Sequence, residues 1–207
     1  MIDAKKFPVF SMGLSTYKVP MSLHANNRNK VIKALLVNKD IVVNNNKTVV
    51  VLQGGKSQNR NDTDHEPIFR QESYFHYLFG VKEPDCWGII DLNTKKTILA
   101  FPRYPSEYAT FMGALPSNDI IQASYGVDLV IYKDEMESYL EDLFMNKEKT
   151  NGGICGKILL LKGQNSDSGN WYIPPKFKSS QLDGLSDDVI LFPILAEARV
   201  IKSNEEM

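Results

Sequence analysis

Short runs of consecutive apolar residues constrain this chain more than any other feature. Val49-Val50-Val51-Leu52, Ile158-Leu159-Leu160-Leu161 and Val189-Ile190-Leu191-Phe192 are strand-like stretches of this kind, and Leu129-Val130-Ile131-Tyr132 is another strand. A strand with one face in water alternates polar and apolar residues, whereas a strand covered on both faces reads as a continuous apolar run. Stretches with helical periodicity fall between these runs, so strand and helix alternate along the chain. That alternation predicts an α/β fold, with a mixed or parallel sheet flanked by helices on both faces.

The individual elements follow from local signals. A helix is expected over Met21–Val37, with Met21, Ala25, Ile32, Leu35 and Leu36 on one face and Val19-Pro20 at its start. Asn44-Asn45-Asn46 then marks a loop. The aromatic stretch Phe69–Gly80 suggests a short helix stopped by its glycine. Cys86–Leu92 and Thr97–Phe101 have the spacing of a hairpin around Asn93–Lys96. Short helices are expected over 106–112 and 119–125. The best periodic segment is Asp134–Met145, where Met136, Tyr139, Leu140, Leu143 and Phe144 fit the i, i+3, i+4, i+7, i+8 pattern. Asp134 and Glu137 give it a D-x-x-E start related to the capping box, and Lys147 and Lys149 follow its end as the helix dipole prefers. Val189–Phe192 reads as a further strand, with a last helix after Pro193. No internal repeat and no long linker divides the chain.

Composition excludes several functions. Lys and Arg total 24 against 25 Asp and Glu, a net charge of −1, which gives no electrostatic case for nucleic acid or an anionic membrane surface as partner. With 207 residues, 43% of them hydrophobic, the chain can bury a core without staples. Its two cysteines, Cys86 and Cys155, lie outside any C-x-x-C motif, which excludes a disulfide scaffold and a thiolate zinc site. The N-terminal MIDAKKFPVFSMGL has no apolar core of a secretory signal. The longest apolar stretch, Val189–Ala196, is interrupted by Pro193 and far short of the roughly 20 residues that span a bilayer. A cytoplasmic protein with two free thiols is the expectation.

A search for chemistry yields no catalytic constellation. Gly55-Lys56-Ser57 follows a strand like the end of a phosphate loop, but Val50 stands where that motif needs its first glycine, and no helix pattern follows. Ser168-Gly169 lacks the glycine pattern of a nucleophile elbow. Asp62, Asp64, His65 and Glu66 cluster, as ligands of a divalent ion can, yet their spacing matches no established metal motif and a solvated acidic loop is the preferred reading. His76, among Tyr74, Phe75, Tyr77 and Phe79, reads as a core or half-buried histidine. Cys86 beside Trp87 reads as a small core residue, and nothing near Cys155 marks it as reactive. The aromatic string 69–79 lacks interleaved Lys and Arg, so a packed core is preferred over a base-stacking platform.

Several stretches taken together resemble one family. They are Lys18-Val19-Pro20, VVLQGG at 50–55, FRQESYFHYLFGVKEPDCWGIIDLNT at 69–94, FPRYPSEYATFMG at 101–113, LLLKGQNSDSG at 159–169 and ARVIKSNEEM at 198–207. In this order they are similar to the N-terminal domain of prolidases, the Xaa-Pro dipeptidases, which share the aminopeptidase P and creatinase N-terminal fold. The resemblance implies a creatinase-like N-terminal domain over residues 1–196. It also implies that residues 197–207, carrying R-x-x-K-S-x-x-E at Arg199, Lys202, Ser203 and Glu206, begin the helix leading to a pita-bread catalytic domain.

The family is homodimeric and uses two divalent metals, usually manganese, held by two aspartates, a histidine and two glutamates of the second domain. None of those ligands can be placed on this sequence, so no catalytic and no metal-binding residue is assigned and the 207 residues alone are expected to be inactive. The implied partners are a catalytic domain, a second identical subunit and, in the whole enzyme, a dipeptide. Phe111 is the one substrate-binding candidate. It is either an apolar wall for a dipeptide in the partner subunit or local core at the end of a short helix. A free-standing interaction module that kept the fold, and the corresponding domain of an Xaa-Pro aminopeptidase, are the alternative readings.

Overall fold

The computed structural model describes residues 9–39, 41, 47–145 and 155–207. The loop expected at Asn44–Asn46 and the flanking Lys147 and Lys149 lie outside the described residues. In chain order the elements are β1 (Val9–Phe10), β2 (Val19–Pro20), α1 (Met21–Val37), β3 (Lys47–Gln53), α2 (Ser73–Phe79), β4 (Trp87–Asp91), β5 (Thr97–Phe101), α3 (Ala109–Met112), α4 (Asn118–Tyr125), β6 (Leu129–Tyr132), α5 (Met136–Phe144), β7 (Gly156–Leu160), β8 (Gly163–Gln164), β9 (Trp171–Tyr172), α6 (Ser180–Gly184), β10 (Ser186–Asp187) and α7 (Leu191–Val200).

The apolar runs become the sheet. Six strands lie in the order β10-β7-β3-β4-β5-β6. β3 pairs in parallel with β7, Val49 opposite Ile158, and antiparallel with β4, Val51 opposite Ile89. β5 runs antiparallel to β4 and parallel to β6, and β10 parallel to β7. The sheet is therefore mixed, with β4 alone reversed.

The period of two along each strand sends alternate residues to opposite cores. Val50, Leu52, Ile90, Leu99 and Leu159 pack with α1, α2, α4 and α7. Val49, Val51, Ile89, Ile98, Ile158 and Leu160 pack with α5 and α6. Both faces are covered, so the expected α/β architecture is what the chain adopts. Each such side chain, fully buried, contributes on the order of 1.5–3 kcal/mol by removal from water.

The FRQES stretch explains how β3 meets α2. Glu72 caps α2, its carboxylate accepting from the backbone N–H of Tyr74 and Phe75. Gln71 accepts from Gly55 N–H at 2.5 Å and donates to the carbonyls of Val81 and Glu83, so one side chain ties both ends of the surrounding loops. Gly80 closes α2 in the left-handed conformation, φ 64°, against the His24 ring. Phe75 and Phe79 stack at 5.2 Å inside the core, so the aromatic string is packing. Gly88 permits that packing, because a Cβ there would lie 2.2 Å from the Phe79 ring.

Several expectations need correction. The run Val189–Phe192 is not a strand: only Ser186–Asp187 pairs with β7, and α7 begins at Leu191 with Pro193 inside its first turn. A short apolar run fits a buried helix start as well as a strand, and proline lacks only a donor that the first turn leaves unused. The helix of the aromatic stretch begins at Ser73, since Glu72 is its cap. The 106–112 helix is a 3-10 turn at 106–108 followed by α3. The D-x-x-E pair does not cap α5. Asp134 accepts from Arg103 Nε at 3.0 Å, and Glu137 accepts from the backbone N–H of Lys178 and Ser179. Tertiary partners have replaced the local bond.

Candidate functional site at the carboxyl edge of the sheet

All strands of the six-stranded sheet but β4 end on the same edge, and in open α/β sheets ligands bind outside the carboxyl ends of the strands. The segment leaving β5 there is 102–113. Phe101 meets Tyr104 edge-on and Tyr104 stacks on Tyr108 at 5.7 Å, which anchors its beginning. Beyond that anchor the chain projects. Phe111 is 86% exposed and Met112 74%. The local-core reading of Phe111 is therefore overturned: α3 is too short to turn this side chain onto the sheet.

Two clefts open on the same edge. One, of about 480 Å³, lies between Tyr74, Phe192 and the β8–β9 hairpin. Its polar groups are engaged internally. Gln164 donates to Gly169 O, Asn165 accepts from the N–H of Asp167 and Ser168, and Glu72 caps α2. Ser168 belongs to that turn and has no catalytic surroundings.

The second cleft, of about 790 Å³, lies between the ends of β3 and β5, the start of α5 and the 175–178 segment. Pro102, Met136 and Phe177 supply apolar walls, and Trp87 forms part of the lining. Arg103 lies over the Tyr132 ring at 3.6 Å and pairs with Asp134 and with Glu135 at 2.5 Å. Lys133 is 3.8 Å from Asp85.

The other candidates fall elsewhere. Asp62, Asp64, His65 and Glu66 are all exposed on the loop before α2, where Arg60 N–H donates to His65 O and Thr63 folds back on Arg60. Among the described residues no group of three or more His, Cys, Asp or Glu is placed to hold a metal ion. Gly55-Lys56-Ser57 leads into irregular chain, and Gly55 O accepts from Asp85 N–H, so no helix N-terminus stands behind a phosphate.

His76 is not a core residue. It sits on the exposed side of α2, edge-on to His24 at 5.6 Å, and His24 is the buried one. Burial lowers the His24 pKa to about 4 against the carbonyl of Tyr77 that holds its ring, and His76 and Arg28 add to the lowering. Cys86 is fully buried; that burial, with Glu83 and Asp85 beside it, drives its thiol strongly upward, the opposite of a nucleophile.

The R-x-x-K-S-x-x-E residues form a clamp. Glu206 accepts from Ser203 N–H at 2.8 Å, one arm of a capping box, and from Lys30 of α1 at 2.9 Å. Lys30 also donates to Ile201 O, and Lys202 to Arg199 O. Arg199 donates to Ser73 and lies over the Tyr74 ring. Periodicity also missed two buried polar residues of α1, Asn27 and Arg28, which donate to the carbonyls that end α2.

Residues 24–151 match the family described as aminopeptidase P, N-terminal domain, and the chain belongs to that family. Among curated relatives it is 39% identical to the Xaa-Pro dipeptidase of Rattus norvegicus and 38% to that of Homo sapiens, each over 204 residues, 97% of this chain and 38% of the relative. A "Probable Xaa-Pro aminopeptidase" of Aspergillus niger is 30% identical over 159 residues, 77% of this chain and 29% of the relative. The chain thus spans under two fifths of the length of these relatives. Aminopeptidase P of E. coli, solved with the inhibitor Pro-Leu, superposes with a TM-score of 0.60 at 16% identity, over 90% of this chain and 40% of that one. This is a likeness of fold. No described helix is long and apolar enough to cross a membrane.

Proposed function

We propose that this chain is the non-catalytic N-terminal domain of an Xaa-Pro dipeptidase, comprising residues 1–196, with residues 197–207 opening the connection to a pita-bread catalytic domain. The match to dipeptidases over 97% of the chain, against 77% for the Aspergillus niger aminopeptidase-type relative, favours the dipeptidase over the aminopeptidase reading. The Ser203–Glu206 bond supports a helix start at the end of that segment.

In this reading the domain serves dimer formation in the cytoplasm and shapes the active site of the partner subunit. The observation that carries it is Phe111, held 86% exposed at the carboxyl edge with Met112 beside it. An apolar pair kept in water gains from a surface that covers it. A wall placed across a neighbouring substrate cleft would exclude peptides longer than two residues by steric clash. Hydrolysis itself belongs in this reading to the catalytic domain, whose two divalent metals, manganese in the proposal, would supply Lewis-acid chemistry and an activated water there. The described residues of this chain do not fit that metal pair, since Asp62, Asp64, His65 and Glu66 form no ligand group; no metal step is assigned to them.

Two experiments test the proposal. The reading frame downstream of codon 207 should continue into two aspartates, a histidine and two glutamates spaced as metal ligands. A natural stop there would favour a free-standing module instead. In the protein so encoded, Phe111→Ala should raise KM for Gly-Pro and relax discrimination against tripeptides without lowering the thermal midpoint. Unchanged kinetics would remove Phe111 from the site.

A further inference from the structure

We propose that the cleft bounded by β5, the start of α5 and the 175–178 segment is a binding site for a small organic anion, an oxyanion carried on an apolar body. The first ground is charge. Five cationic residues line this cleft against two acidic ones, in a chain whose net charge is −1. Arg103 is answered by Asp134 and Glu135, and Lys133 by Asp85. Glu137 is held by two backbone N–H groups, where it pins the 178–179 segment to α5. That leaves Lys56, Lys176 and Lys178, drawn from two distant segments, with no ion pair among the described residues and lining one space. Like charges so gathered repel one another, and an oxyanion between them removes the repulsion and accepts charge-assisted hydrogen bonds.

The second ground is Trp87. This residue forms part of the cleft lining and is 7% exposed, and its indole Nε1–H is buried without a hydrogen-bond partner among the described residues. A buried donor left unmatched is destabilising, and each such group in a folded protein calls for an explanation; this one lies beside the cleft and makes the indole a reporter of what enters it. The third ground is the apolar lining. Pro102, Pro175, Met136 and Phe177 give a body of a few carbons a surface out of water beside the charged rim. The cleft also occupies the strand-end position where α/β sheets place ligands. Lysine ammonium groups bind a carboxylate or a phosphate alike, so the chemistry specifies an oxyanion and the experiment separates the two.

The chain has two tryptophans. Trp171, 55% exposed, can be replaced by Phe so that the indole N–H resonance in a proton–nitrogen correlation spectrum belongs to Trp87 alone. Phenylacetate, phenyl phosphate and inorganic phosphate are titrated in turn. A saturable shift of the Trp87 resonance is expected with phenylacetate or phenyl phosphate, and a weaker response to inorganic phosphate, which has no apolar body. The combined variant Lys56→Gln, Lys176→Gln, Lys178→Gln, all at exposed positions, should keep its thermal midpoint and lose affinity by about tenfold or more. No saturable shift below about 10 mM, a field well outside the range of specific binding, would overturn the proposal. So would a triple variant that binds as the unmodified chain does, and so would inorganic phosphate binding as tightly as the phenyl compounds. The test reads this chain alone, so its failure leaves the dipeptidase reading untouched.

Discussion

Lys30 Nζ lies 2.9 Å from Glu206 Oε2 and 2.8 Å from the carbonyl of Ile201, joining the middle of α1 to the turn that follows α7. Burial raises the Glu206 carboxyl, but the Ser203 N–H and Lys30 outweigh it and hold the group below its ordinary value. A lowered carboxylate pKa contributes stability that is present above the unfolded value and is lost as pH falls through the folded one. The Glu206 side chain is 8% exposed and that of Lys30 26%, so the pair is worth more than a surface ion pair. Glu206→Gln is expected to destabilise by about 1 kcal/mol, lowering the thermal midpoint by about 2–4 °C. Amide exchange at Ser203 should quicken with it. A midpoint and exchange rate equal to the unmodified chain would show the clamp to be idle.

Arg28 should be the least replaceable residue of α1. It is 3% exposed, donates Nη1 to Leu78 O at 2.8 Å and Nη2 to Gly126 O at 2.7 Å, and lies over the Phe79 ring. Burial lowers its pKa to about 10, partly offset by Asp128, so it stays charged at neutral pH. A lysine has one nitrogen and cannot reach both carbonyls in the fork geometry. Arg28→Lys should lose about 2 kcal/mol or more and Arg28→Ala about 3–5, measured by urea unfolding. Arg28→Lys within about 0.5 kcal/mol of the unmodified chain would contradict the fork reading.

His24 predicts a pH dependence. With a folded pKa of about 4 against an ordinary 6.5, the unfolded chain takes up the proton first as pH falls. Stability is therefore unaffected above pH 6.5 and declines from there toward pH 4, by roughly 3 kcal/mol at the low end. His76, also lowered, acts in the same direction. Urea midpoints at a series of pH values should show a shallower slope in His24→Gln than in the unmodified chain. Equal slopes would assign the acid sensitivity to other groups.

Phe111 gives a test of placement that is independent of any activity. Being 86% exposed, it should tolerate Phe111→Ala within about 0.5 kcal/mol in the isolated chain. A loss near the roughly 3–5 kcal/mol of a core phenylalanine would restore the local-core reading.

Much of the architecture was legible locally. The apolar runs at Val49–Leu52 and Ile158–Leu161 needed cover on both faces, and the sheet provides it, whereas Leu129–Tyr132 became the edge strand with Leu129 37% exposed. The 3.6-residue period placed α1 and α5, and Gly80 stopped α2 where its left-handed φ was needed. The hairpin at Asn93–Lys96 formed as its spacing required, with Asp91 accepting from the N–H of Asn93 and Thr94. These are short-range properties, fixed by periodicity, turn chemistry and the demand that apolar faces leave water.

The rest was decided only when distant segments met. Val189–Phe192 carried the apolar run of a strand, yet only Ser186–Asp187 pairs with β7 and Leu191 opens a helix. Asp134 and Glu137 carried a capping pattern, yet Arg103 and the 178–179 backbone took them first. The site was the least legible part. Lys56, Trp87, Lys133 and Lys176 stand far apart in sequence, and they share one cleft because the carboxyl ends of β3 and β6, the amino end of the reversed β4 and the segment after β9 meet at one edge. A linear pattern records the residue types a fold can use. Charge and exposure at a point in space are sums over every segment that arrives there, and tertiary structure alone sets them.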